Sequence, residues 1–75
     1  MIPPGARFVQ VGSFRDPEQA QAGARKLAHM GMPVVRAREG AALLVLVGPL
    51  DGREAIVRMI ERLRRAGYPD VRARR

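Results

Sequence analysis

VQVGSFRDPEQA, Val9 to Ala20, and VLVGPLDGREAI, Val45 to Ile56, are two versions of one pattern: an alternating apolar strand that runs through a glycine into a helix start. Aligning the chain on itself at an offset of 36 pairs Val9 with Val45, Val11 with Val47, Gly12 with Gly48, Leu27 with Leu63, Gly31 with Gly67, Pro33 with Pro69 and Val35 with Val71. Agreement at both core and punctuation positions marks an internal repeat. The copies part company at Gln10 and Ser13, whose counterparts are Leu46 and Pro49.

Each copy reads as strand, helix, strand. Phe8 to Phe14 alternates, after which Asp16-Pro17-Glu18 supplies an N-cap, a proline for the first turn and an acid near the positive end of the helix dipole. Ala20, Ala24, Leu27 and Ala28 form a thin apolar stripe, and Gly31 closes the helix. In the second copy Asp51 is placed to cap a helix whose Ile56, Met59, Ile60 and Leu63 recur at helical spacing, with Gly67 closing it. Between the copies, Val34 to Arg38, Glu39-Gly40 and Ala42 to Val47 read as a hairpin. Asp70 to Arg74 is a short last strand.

The expected fold is therefore α+β, in the βαββαβ split βαβ order of ferredoxin-like domains: one four-stranded antiparallel sheet with two helices on one face. Right-handed crossovers set the strands in the order fourth, first, third, second. With Val9, Val11, Val45, Val47 and Val71 turned to the helices, alternation turns Phe8, Gln10, Ala42, Leu44, Leu46, Arg72 and Arg74 to the uncovered face. That face reads as a central apolar band beside an arginine edge, and exposed apolar bands mark ligand or partner surfaces.

Composition narrows the function. At 75 residues the chain makes one small domain, and residues 1–6 read as a linker remnant ahead of a domain at 7–75. The net charge of +7 comes from 13 arginines and one lysine against seven acids, and it favours an anionic partner. With no cysteine and His29 as the single histidine, thiolate metal sites, disulfides and histidine-dependent triads are excluded, and His29 reads as a surface residue. No nucleophile with a base, carboxylate pair or metal cluster is visible, so neither enzymatic activity nor a cofactor or metal is expected. No apolar run approaches the roughly 20 residues of a membrane helix.

The run VQVGSFR-x2-EQA, the V-x-VGP of Val45 to Pro49, and the A-x7-L-x3-G of Ala55 to Gly67 together resemble the SPOR (sporulation-related repeat) domain over nearly the whole chain. The likeness is greatest to the C-terminal peptidoglycan-binding domain of FtsN-type division proteins. The resemblance implies the βαββαβ fold and a non-catalytic module that binds glycan strands stripped of stem peptides. Its setting would be periplasmic or elsewhere in the cell envelope, at the septum, on a membrane-anchored or secreted parent chain. Gln10 and Ser13 fall on the family's glycan-contacting positions in the first strand and the loop after it, and Arg72 on an outward position of the last strand. The family's third strand offers an arginine with an aromatic two residues earlier; here Leu44 and Ala42 stand there, which implies a weaker, salt-sensitive grip.

Chemically, Gln10 carries both donor and acceptor groups for an amino sugar. A stripped strand exposes the lactyl carboxylate of each muramic acid, and the planar fork of Arg72 or Arg74, joined by Arg36 or Arg38, matches it. Phe8, Leu44 and Leu46 complete the candidate surface. An RNA-recognition domain shares the topology but reads bases through aromatics on the two central strands, where only Phe8 qualifies, so nucleic acid is not an expected partner. The standing alternatives are a ferredoxin-like amino-acid-sensing module and a protein-docking or dimerisation module that uses the apolar face; the glycan-binding reading expects a monomer.

Overall fold

A computed structural model describes residues 2–75; Met1, in the segment read as a linker, lies outside the described residues. The elements are β1 (Phe8–Phe14), α1 (Pro17–His29), β2 (Val34–Glu39), β3 (Ala42–Val47), α2 (Arg53–Arg65) and β4 (Arg72–Arg74). They form one antiparallel sheet in the order β2-β3-β1-β4. The repeat explains the layout, because neither strand–helix–strand copy can bury its apolar face alone.

α1 packs over β1, β2 and β3, and α2 over β1 and β4. One core lies between helices and sheet, built from Val9, Val45, Val47, Val71 and Ala73 of the sheet side, Ala20 and Leu27 of α1, and Ile56 and Leu63 of α2. The apolar stripe of α2 faces inward as its spacing requires, with Ile56 and Leu63 fully buried; Met59 and Ile60 flank them, half-buried. On α1, Ala28 stands exposed, at the margin of the stripe. Ala6 is buried and Ile2 half-buried against this core ahead of β1. Among the described residues no helix is long and apolar enough to cross a membrane.

The two helices begin differently. Asp16 has extended backbone and its Oδ1 accepts from the Glu18 amide at 2.9 Å, so α1 is capped as its sequence requires. α2 starts from Gly52, with no side-chain cap. Asp51, expected in that role, sits one residue too early and points to solvent, 3.9 Å from Arg7. At the 36-residue offset Gly52 is the counterpart of Asp16, so the second copy has a glycine at the cap position and its aspartate one residue ahead of it.

Two glycines hold the layers together by close approach. A Cβ on Gly12 would stand 2.7 Å from the Phe14 ring, and one on Gly23 3.2 Å from the same ring, so Phe14 lies between β1 and α1 in a slot that only glycines leave open. This accounts for a glycine inside α1, where it costs about 1 kcal/mol against alanine. Gly48 approaches the Arg7 carbonyl oxygen, which a Cβ would meet at 2.6 Å.

Candidate functional site

The sheet face away from the helices carries the polar residues that distinguish the first copy of the repeat from the second. Gln10 pairs directly with Leu46, its own counterpart at the 36-residue offset, so the pseudo-twofold axis of the repeat runs through this pair. Exact symmetry would then pair Val45 with Val11. Instead a β-bulge between Gln10 and Gly12 sets Gly12 opposite Val45 and Ser13 opposite Leu44. Leu44 and Leu46 are two residues apart on one strand and share a face, so their partners Ser13 and Gln10 share it too. Strict alternation would have sent Ser13 to the helix side. The bulge inserts one residue, Val11, and returns Ser13 to the open face, within β1 rather than in the loop after it.

Gln10 is the one buried polar side chain among the described residues, at 8% exposure. Its Oε1 accepts a 2.6 Å hydrogen bond from Arg74 Nη1. Arg74 Nη2 in turn donates to Glu39 Oε2 in a close ion pair. β4 and β2 are the two edge strands, three spacings or roughly 14 Å apart. Arg74 and Glu39 occupy diagonally opposite corners, since Arg74 pairs with Phe8 at one end of the sheet and Glu39 with Ala42 at the other. Sheet twist lifts diagonal corners to one side, and a bulge adds to the local twist. Arg74 and Glu39 thus meet across the open face, as a clasp that joins the two edge strands beside Gln10 of β1.

Arg74's hydrogen bond, followed by its charge, holds the Glu39 carboxyl below the ordinary glutamate range; partial desolvation opposes this and Arg72's charge adds to it. The Glu39 hydrogen bond likewise raises Arg74, against desolvation. A depressed folded-state value means that the pair's contribution is complete above the unfolded glutamate value, about 4.3, and is lost as pH falls through the lowered value.

The SPOR domain family model matches residues 3–74. This chain belongs to the SPOR domain family. SPOR domains are peptidoglycan-binding modules, generally non-catalytic, associated with the cell envelope and the septum. No curated protein and no solved structure matches the chain.

In this SPOR domain the open face gathers Phe8, Gln10, Ser13, Leu44, Leu46, Arg72 and Arg74, as the cross-strand register shows. Two expectations about that face need correction. Leu44 and Leu46 are not an exposed apolar band: they are 4% and 7% exposed and belong to no helix-side cluster. Both lie on the central strand β3, between Ser13 and Gln10 of β1 and Ala37 and Val35 of β2. Arg36 and Arg38 pair with Val45 and Leu43, which puts them on the helix side of β2, away from the site. Phe8 is half-buried, while Ser13 and Arg72 are exposed.

Glu39 is the site residue that the sequence reading passes over, as a turn residue of the hairpin. Its one signal is that it is the only acid between Glu18 and Asp51, in a stretch otherwise basic. Gly12 gave a similar signal for the bulge, since an isolated glycine inside a strand pattern marks a bulge or a close backbone approach.

Proposed function

We propose that this SPOR domain binds, as a monomer, glycan strands stripped of their stem peptides, on the open sheet face, and thereby directs a parent envelope or division protein to the septum. The observation that carries the reading is the bulge, which sets Gln10 and Ser13 on the same face as Arg72 and Arg74, over a floor of Leu44 and Leu46. Ser13 and Gln10 supply neutral donors and acceptors for hydroxyl and acetamido groups. Arg72 and Arg74 supply charge for the lactyl carboxylates that stripping leaves exposed. Phe8 offers an apolar edge for a sugar ring. With Leu44 and Leu46 buried, Val35 is the large apolar side chain left exposed on this face, which is too little for the apolar centre of a dimer interface.

Retention on isolated sacculi tests this reading. Amidase treatment, which removes stem peptides, is expected to increase the bound fraction, and Ser13→Glu, which sets an acid in the groove beside anionic sugars, to reduce it. Equal retention on treated and untreated sacculi would overturn the specificity for stripped strands.

A further inference from the structure

Resting on the glycan reading of the same face, we infer that Arg74 receives the ligand's carboxylate and that Glu39 occupies that place in the free domain, so Glu39 is a built-in competitor that sets the affinity. The geometry is that of a carboxylate already recognised. Arg74 presents Nη2 to Glu39 and Nη1 to Gln10, so one guanidinium is oriented by the buried amide of Gln10 while it holds a carboxylate. A ligand carboxylate at the position of the Glu39 group would keep the Arg74–Gln10 bond and exchange one anion for another.

The clasp is placed to open. The Glu39 side chain is 59% exposed and Arg74 31% exposed, a setting in which solvent screens ion pairs and individual pairs contribute little. Glu39 ends β2 at the hairpin turn, next to Gly40 with its positive φ of 60°, so the corner that carries it is bound to the sheet through β3 alone. Glu39, Arg72, Ala73 and Arg74 line one shallow surface depression, through which a sugar carboxylate has access to the guanidinium. Arg72 stands on the same face opposite Gln10 and makes no ion pair among the described residues. It draws an incoming anion toward the clasp. A domain competent only when the clasp is open binds with an apparent affinity reduced by the open fraction.

Calorimetric titration of amidase-stripped glycan fragments into the parent, Glu39→Gln, Arg74→Gln and the double variant tests the inference. Glu39→Gln keeps the size of the side chain and is expected to tighten binding roughly two- to tenfold, as removal of a screened competitor would. The gain is expected to vanish in the double variant and with fragments whose lactyl carboxyls are converted to amides. In the parent, saturation with fragments is expected to return the Glu39 carboxyl carbon resonance to that of an unpaired glutamate. Unchanged or weaker binding by Glu39→Gln, with the parent binding normally, would overturn the competitor role and leave the glycan reading intact. No binding of stripped fragments by any of the four proteins would overturn both.

Discussion

Leu63→Ala is expected to lower the unfolding free energy by about 2–5 kcal/mol, the range of leucine truncations in well-packed cores. Leu63 is fully buried, and it belongs to the single cluster that joins α2 to Val9, Val47 and Val71. α2 also lacks a side-chain cap, so its docking depends on this stripe rather than on its ends. Domains of this size have about 5–15 kcal/mol of stability in all, so the loss is a large share of it. Thermal and urea melts of the two proteins measure it. Val57→Ala, on the exposed side of the same helix, is the matched control and is expected to change little, since surface substitutions mostly fall within about 0.5 kcal/mol. Equal effects of the two substitutions would show that α2 is not docked through the Leu63 face.

Leu44→Arg is expected to change stability and binding in opposite directions. Leu44 lies opposite Ser13 on β1 and Ala37 on β2 and is almost without solvent contact. Fitting a longer side chain there costs about 1–3 kcal/mol through overpacking, lessened where the aliphatic stem takes the place of the leucine. The introduced guanidinium is the diagonal cross-strand neighbour of Glu39, which pairs with Ala42, and lies within reach of its carboxylate. It would take Glu39 from Arg74 and leave two cations facing the ligand. The gain is then that of releasing Arg74 from a screened competitor, so stripped glycan is expected to bind roughly two- to tenfold more tightly while the melting temperature falls. Loss of binding with the fold intact would instead identify the leucine floor as the surface the sugars rest on.

The fold was legible because its signals are local and repeated. Asp16-Pro17-Glu18 starts α1, Gly31 and Gly67 end the helices, and the valines of the two copies align at one offset, so strand order followed from connection rules. The site was legible only in part. Period-two alternation places Gln10 correctly but cannot anticipate that Val11 is bulged, and Ser13 came to the open face by resemblance rather than by counting. The Arg74–Glu39 clasp joins residues 35 apart in sequence at opposite corners of the sheet, so it depends on accumulated twist, which no local pattern encodes. Leu44 and Leu46 were placed on the right face with the wrong exposure: alternation reports direction, whereas burial depends on what the neighbouring strands set beside them. Asp51 failed as a cap for a purely local reason, because Gly52 follows it and takes the position.

Whether the open sheet face is the glycan surface is measured by recording backbone and side-chain NMR spectra of the 15N,13C-labelled domain while amidase-stripped glycan fragments are added. The largest shifts are expected on Gln10, Ser13, Leu44, Leu46, Arg72 and Arg74, together with the Glu39 carboxyl, while the outer faces of α1 and α2 stay unmoved. Saturable shifts centred on either helix, or on Arg36 and Arg38 at the helix side of β2, would contradict a glycan surface on the open face.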